Sequence, residues 1–517
     1  MAQPPSPNAP ARTTSRADTG GTVASPPASV GLCLVSHTNV GKTTLARTLL
    51  GQDVGEVQDG PHVTQEAQSH VLLTTPQGDE LRLWDTPGFG DSVRLHRRLS
   101  QSGQPLGWFL SQVWDRWADP AFFLSQRAMR AARDEADIVL YLVNATEAPE
   151  DCGYLAPELA ILAWLGKPVV VVLNQLGRAP EQGTPGQAER DEQARWTAHL
   201  KGQAMVKAVL PLDAFARCWI HEGVLLDALA PWLAPPRQAG YARLVAQWKR
   251  RNWQRLQASA QALATGLLAA ATDVHTGHTG QSGFEATARQ ALAQRVLQCR
   301  QQLTSQLLAL HGLQGHADHP LWKHLDGLAL NGHTPIPLRQ AGVLGAIASG
   351  AATGLGADAM AGGLTLGLGA LVGAVVGGLA FAGAALGINK ARQQEHPTLA
   401  LAPEALTTLL QEALLKYLAI AHFGRGRGDF VHEELPAHWQ TLCALALAGH
   451  ADALDALWAD AQQWATRTPA HPTRTAPAEL DQRLHHLCAT LLLALLQGLY
   501  PHTPIHTLAD QPLAQAK

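Results

Sequence analysis

At 517 residues the chain is too long for one hydrophobic core, and two to four domains are expected. Its 39 basic and 42 acidic residues leave a net charge of −3, so no global basic field points to nucleic acid as the main partner. The six cysteines (33, 152, 218, 299, 443 and 488) form no CxxC pair and no zinc spacing, which fits buried thiols in a reducing compartment. The 23 histidines form neither an HExxH nor a Cys/His array, and His485-His486 reads as a surface pair.

In chain order, residues 1–29 are rich in Pro, Ser, Thr and Ala, lack the apolar run of a signal peptide, and read as a disordered tail. Residues 30–36 (VGLCLVS) suit a buried strand, and a helix is expected over 43–50 after a glycine-containing turn. Further strands are expected at 81–85 (LRLWD), 137–144 (DIVLYLVN), 168–174 (PVVVVLN) and 206–212, with a closing helix over 224–233. Apolar strands alternating with helices predict an α/β domain over 30–235, its mostly parallel sheet covered on both faces. A stretch of about 45 residues, 92–136, interrupts it and carries Trp108, Trp114 and Trp117 at helical spacing. This reads as a helical insertion with its own small packed face, the sharper alternative being a partner or membrane contact.

From 236 onward the pattern is all-α. Helices are expected over 241–273 and 284–313 within a region ending near 335, and over 403–423, 436–466 and 477–500 within a C-terminal domain spanning 393–517. Between them, 336–392 holds a glycine-rich apolar hairpin. Asp358 is the only charged residue of 341–388, and glycines recur at four-residue spacing, as at Gly369, Gly373 and Gly377. Such small residues let two helices approach closely. As helices, 341–357 and 364–388 would span about 26 and about 38 Å. Arg339 at one end and Lys390 and Arg392 at the other would lie on one side of a bilayer, as expected for a protein entering it from the cytoplasm. The bland alternative is a buried hairpin in a soluble bundle, where glycine weakens helices without return.

Two segments carry chemistry. Ser36-His37-Thr38-Asn39-Val40-Gly41-Lys42-Thr43 satisfies the second half of the phosphate-loop pattern GxxxxGK[ST], with Ser36 where the first glycine is usual. Gly41 would admit backbone N–H groups to a phosphate, Lys42 would reach the β and γ oxygens, and Thr43 would ligate magnesium. The helix that continues through Thr44 would aim its positive end at the same anion. Asp85-Thr86-Pro87-Gly88 follows about 40 residues on, at the end of a strand. Asp85 would hold magnesium, and the Gly88 N–H would sense the γ-phosphate and release the following loop after hydrolysis. Thr64, in the loop 52–69, is placed by position as a further contact to magnesium and the γ-phosphate.

With HTNVGKTTL, DTPG and VVVVLN in view, the chain resembles the translation-factor-related GTPases of the Era-like kind, which carry Asn in the phosphate loop. EVQDGPHVTQEAQ, DTPGFGDS, VLPLDAFARCW, GADAMAGGLTLGLGALVGA and HFGRGRGDF narrow this to a resemblance to bacterial GTPases fused to a C-terminal domain of unknown function. The resemblance implies GTP and GDP as ligands, with Asn39, Val40, Gly41, Lys42, Thr43, Thr44, Asp85, Gly88, Asn174 and Asp213 as nucleotide contacts. It implies Thr43, Thr64 and Asp85 at magnesium, Lys42 and Thr64 in catalysis, and Asn39 as a potassium contact.

Departures from the family pattern are as informative. Phe89 stands where Ras-like enzymes place a water-orienting glutamine, and Asn174-Gln175-Leu176-Gly177 replaces NKxD, so no carboxylate follows to read guanine. Asp213 could supply one from the other side of the base.

The leading expectation is a slow, magnesium-dependent GTPase switch at the cytoplasmic face of a bacterial inner membrane, peripheral or inserted through 341–388. The alternative is a non-hydrolysing nucleotide sensor that gates a membrane or homo-oligomerisation module. RNA work is the weakest reading, because no RNA-binding module or basic stripe is present.

Overall fold

The computed structural model describes residues 27–51, 68–101, 120–176, 187–212, 218–276, 284–313, 398–423, 436–467 and 476–503, with Gly107, Leu110, Ala214 and Ile505 beside them. Thr64, Gly177, Asp213, the three insertion tryptophans and the hairpin 341–388 lie outside these residues, as does most of the N-terminal tail.

The first apolar run forms β1 (Ser29–Ser36), followed by α1 (Lys42–Leu50). Then come β2 (Gln68–Thr74), β3 (Glu80–Asp85), α2 (Ser92–Leu99), α3 (Pro120–Asp134), β4 (Ile138–Asn144) and α4 (Leu155–Leu165). The series closes with β5 (Val169–Asn174), α5 (Gln187–Leu200), β6 (Val206–Pro211) and α6 (Trp219–Leu229). The strands lie in the order β2-β3-β1-β4-β5-β6, all parallel except β2, which runs antiparallel to β3. This is the expected α/β architecture.

Successive strand residues point to opposite faces, so each inner strand feeds two cores. Leu32, Leu34, Leu140 and Val172 enter one core, while Cys33, Val35, Tyr141 and Val171 enter the other. Burial on both faces explains why these strands appear in the sequence as continuous apolar runs.

Three elements differ most from expectation. Strand β2 is not expected from the sequence, since at the sheet edge only Leu73 of its seven residues is buried and its apolar run is limited to Val71-Leu72-Leu73. The closing helix begins at Trp219 and ends at Leu229, because Pro231 forces the chain into the 3-10 turn Ala230–Trp232. The stretch 436–466 is two helices, α10 (Ala437–Ala448) and α11 (Ala451–Arg467), bent by 69° at Gly449-His450.

The remaining helices are α7 (Pro235–Ala271), α8 (Phe284–Leu310), α9 (Pro403–Ala421) and α12 (Ala478–Leu499). Helix α7 starts six residues before the expected 241. Its proline at the first position pre-sets the helical φ and removes an N–H that would have had no helical partner. Leu244, Trp248, Leu256 and Leu263 of α7 belong to the same core as Leu32 and Leu81 of the sheet and Leu492 of α12. The helical region is thus built onto one face of the sheet.

A buried carboxylate reinforces that junction. Asp79, in the β2–β3 turn, accepts from Arg243 of α7 through Nε (2.8 Å) and Nη2 (2.6 Å), and from the Thr75 hydroxyl. Gly240 lets the helix come this close, since a Cβ there would lie 2.8 Å from Asp79 Oδ1. Farther on, the two-residue strands β7 (His275–Thr276) and β8 (Thr398–Leu399) pair antiparallel.

Candidate nucleotide-binding site

Strand β1 ends at Ser36, and the chain turns through two left-handed residues, Asn39 (φ 63°) and Gly41 (φ 92°), before α1 begins. Asparagine tolerates this conformation better than most residues. At Gly41 a side chain is excluded twice, by φ and because a Cβ would lie 2.8 Å from the Asn174 amide nitrogen. Among the described residues no side chain caps the N-terminus of α1, and its first turn holds no acid. That helix end therefore presents its N–H groups and positive dipole as an anion site.

Lys42 is buried at this turn. Its Nζ donates to Ser36 Oγ (2.9 Å) and to the His37 carbonyl (3.4 Å). Burial lowers its pKa, while Asp85 and Glu158 oppose that effect electrostatically. A phosphate would act in the same direction as these two carboxylates. Gly88 closes the other side, where a Cβ would come within 2.9 Å of Lys42 Nζ and 3.1 Å of Thr38 Cα. The glycine of Asp85-Thr86-Pro87-Gly88 thus fits its close approach to the phosphate loop, where a side chain would displace Lys42 and press on Thr38. Thr86, fully buried, locks the segment down by donating to the Leu34 carbonyl at 2.6 Å.

Thr43 and Asp85 meet as the sequence suggested. The Thr43 hydroxyl donates to Asp85 Oδ2 at 2.7 Å. Asp85 Oδ1 is buried with no hydrogen-bond partner among the described residues. Burial raises the Asp85 pKa, against the Thr43 bond and the Lys42 charge, which lower it. A buried carboxylate oxygen without a donor beside a threonine hydroxyl fits a hard divalent cation such as magnesium, which takes oxygen ligands.

Asn174 serves the loops through both ends of its amide. Its Nδ2 donates to the Val40 carbonyl (2.7 Å), and its Oδ1 accepts from the Ala214 N–H (2.8 Å). It therefore ties the phosphate loop to the segment after β6. Asn39 is exposed at the rim, and Thr44 is a buried helix residue. The Phe89 ring is fully buried in the second core, and its N–H donates to the Ser36 carbonyl at 2.9 Å. It is an anchor for the loop and has no means of orienting water.

Sequence reasoning missed four residues. His37 Nδ1 lies 2.7 Å from Glu158 Oε1, and the Tyr141 hydroxyl donates to Glu158 Oε2 at 2.7 Å. The His37 ring stacks on Tyr154 with centroids 4.3 Å apart. The available signal was a lone acid in the otherwise apolar LAPELAILAWL and a tyrosine within IVLYLVN.

Residues 32–175 match the family described as 50S ribosome-binding GTPase, and residues 202–489 match the domain of unknown function DUF3482. Among characterised proteins, the chain is 27% identical over 156 residues to GTPase Der of Myxococcus xanthus, covering 29% of this chain and 27% of that protein. It is 29% identical over 163 residues to GTPase Era of Xanthomonas axonopodis pv. citri, covering 31% of this chain and 44% of that one. The match therefore spans less than half the length of either relative.

Solved structures matched by the chain include Era in complex with MgGDPNP and nucleotides 1506-1542 of 16S ribosomal RNA. That match is 15% identical, covers 55% of this chain and 90% of that one, and has a TM-score of 0.30. Bacterial selenocysteine-specific elongation factor EF-Sec also matches, at 16% identity, covering 36% and 25% with a TM-score of 0.23. More than half of the chain is matched by the second family, and the phosphate loop, the Asp85–Gly88 segment and the sheet account for the first. The chain belongs to the DUF3482 family, with an Era-like P-loop GTPase domain preceding the DUF3482 domain.

Proposed function

We propose that this chain binds GTP with magnesium, hydrolyses it slowly, and uses the two nucleotide states to control its helical region. The observation that carries this reading is the convergence of Lys42, Thr43, Asp85 and Gly88 at one helix N-terminus. Thr43 and Asp85 would hold magnesium, which when bound supplies positive charge to the phosphate oxygens. Lys42 places its ammonium against the β and γ oxygens, and the Gly88 N–H responds to the γ-phosphate. Water attacks the γ-phosphorus in line, and the charge that develops is met by groups already in position.

Asn39 is the residue through which potassium would add a further positive charge. Equal hydrolysis rates in sodium and potassium would count against that role.

A second reading, a nucleotide sensor with negligible turnover, is favoured by the buried Phe89 ring and by the Asn174-Gln175-Leu176-Gly177 sequence. Single-turnover phosphate release, with Lys42→Ala as the blank, separates the two.

The helical region carries the output, and we place it at the inner face of a membrane. Support comes from the composition of 341–388, with its single charge and repeated glycines. Among the described residues no single helix is long and apolar enough to cross a bilayer. Membrane fractionation of the full chain against a version lacking 341–388 tests this, and equal partitioning would remove the membrane from the account.

A further inference from the structure

We infer that His37 is a positioning residue for the γ-phosphate side of the site, held in place by the buried carboxylate of Glu158. This rests on the nucleotide-binding reading above and adds to it a device built from this chain's own side chains.

Residues 36–38 form one wall of the phosphate site. The Ser36 hydroxyl and the His37 carbonyl both accept from Lys42 Nζ, and Ser36 Oγ also bonds to the His37 carbonyl. Thr38 Cα packs where any side chain at position 88 would have to go, and the Phe89 N–H bonds to the Ser36 carbonyl. This wall therefore touches both groups assigned to the γ-phosphate, Lys42 and Gly88. A phosphate site works only when such groups are held within a fraction of an ångström.

The His37 side chain ties the wall to the rest of the domain. It donates from Nδ1 to Glu158 Oε1 at 2.7 Å, and its ring lies flat against Tyr154, 4.3 Å away with 13° between planes. Glu158 sits in the first turn of α4 with 0% exposure, and Tyr141 on β4, also at 0%, takes its other oxygen at 2.7 Å. Enclosing a carboxylate in an apolar helix is costly unless each oxygen is bonded. A leucine there would serve packing alone. The carboxylate instead fixes the imidazole tautomer and orientation, as outer-sphere acids do for functional histidines. Its negative charge also favours the charged form of Lys42.

The test is a pair of titrations with fluorescent (mant) nucleotides, one a non-hydrolysable GTP analogue and one GDP, on the full chain. His37→Ala and Glu158→Gln are expected to weaken the triphosphate analogue about tenfold, the worth of one charge-assisted hydrogen bond. GDP affinity should change by about twofold or less. His37→Asn, whose amide can replace the Nδ1 donor, should restore most of the loss. Tyr141→Phe, which removes one hydroxyl from a packed ring, is the variant least able to disturb folding and should reproduce part of the effect. Equal losses for both nucleotides, or no loss, would overturn the positioning role while leaving the nucleotide site standing. If the unaltered chain bound neither nucleotide, the parent reading would fall, and this inference with it.

Discussion

The sheet and the helical region bury polar side chains to different ends. In the helices the usual solution is local. The hydroxyls of Ser259 and Thr304 donate to the carbonyls of Arg255 and Arg300, and the Asn252 amide to Trp248, each four residues back. Such bonds let a polar residue lie in a helix without outside help. At the C-terminal ends of β1, β3 and β5 the bonds run between distant parts of the chain. Thr43 reaches Asp85, Asn174 reaches Val40 and Ala214, and His37 reaches Glu158. One buried oxygen there, Asp85 Oδ1, has no donor among the described residues. The contrast gathers the long-range polar bonds at the C-terminal ends of the strands and leaves the described helices as a packed body with mostly local ones.

The largest effect expected to sharpen this contrast comes from Lys42→Ala. Triphosphate affinity should fall by about 10³-fold, comparable to losing a buried charged contact, while the melting temperature stays level or rises because a buried ammonium is gone. Nucleotide titration and a thermal melt report the two halves of that expectation. A drop in melting temperature without a change in affinity would break it.

Arg243→Ala addresses the junction instead. It leaves the Asp79 carboxylate buried and unpaired, which should cost about 3 kcal/mol of stability. The Arg243 guanidinium holds the Asp79 carboxyl well below the usual carboxylate range. Its contribution is therefore complete above the ordinary value near 4 and is lost as pH falls below that value. Urea unfolding at pH 7 and at about pH 2.5 should show the variant's deficit shrinking at the lower pH.

Gly88→Ala should leave GDP binding within about threefold, yet slow single-turnover phosphate release by about 10²-fold. Its methyl group would meet Lys42 Nζ and Thr38 in the space that the γ-phosphate contacts share.

The smallest expected effect lies where the two regions touch. His422 at the end of α9 donates from Nδ1 to the Leu418 carbonyl (2.8 Å) and accepts from the Tyr500 hydroxyl (2.7 Å), which keeps the ring neutral. Tyr500 also lies edge-on to His221 of α6. Burial pushes the His422 pKa down to about 4. Because the folded value is the lower one, this stability is fully present above about pH 6.5 and is lost as pH falls towards 4, by about 2 kcal/mol after solvent screening. Melts across that range should show His422→Phe with the flatter dependence.

What could be read from the sequence was local. Runs such as VVVVLN announce strands buried on both faces, and GKT followed by DTPG marks the ends of two of them. Strand β2 escaped because an edge strand with one buried residue has no such run. The Arg243–Asp79 tie joins residues 164 positions apart, and the His37–Glu158 pair joins residues 121 apart. No spacing rule connects such partners before the chain is folded. Phe89 illustrates the same limit, because its position marks only a missing water-orienting glutamine, and its place in the core shows only once the chain is folded. Asn174 was legible as a site residue, but its two bonds to the backbone show it organising the loops.

The central claim is that this sheet edge binds a guanine nucleoside triphosphate with magnesium. The most direct measurement is a competition titration of the purified chain with mant-GTP against unlabelled GTP, GDP and ATP, with and without magnesium. The account expects displacement by GTP and GDP, little displacement by ATP, and tightening by magnesium that disappears in Asp85→Asn. Binding indifferent to magnesium and to Asp85, or equal displacement by ATP, would contradict it.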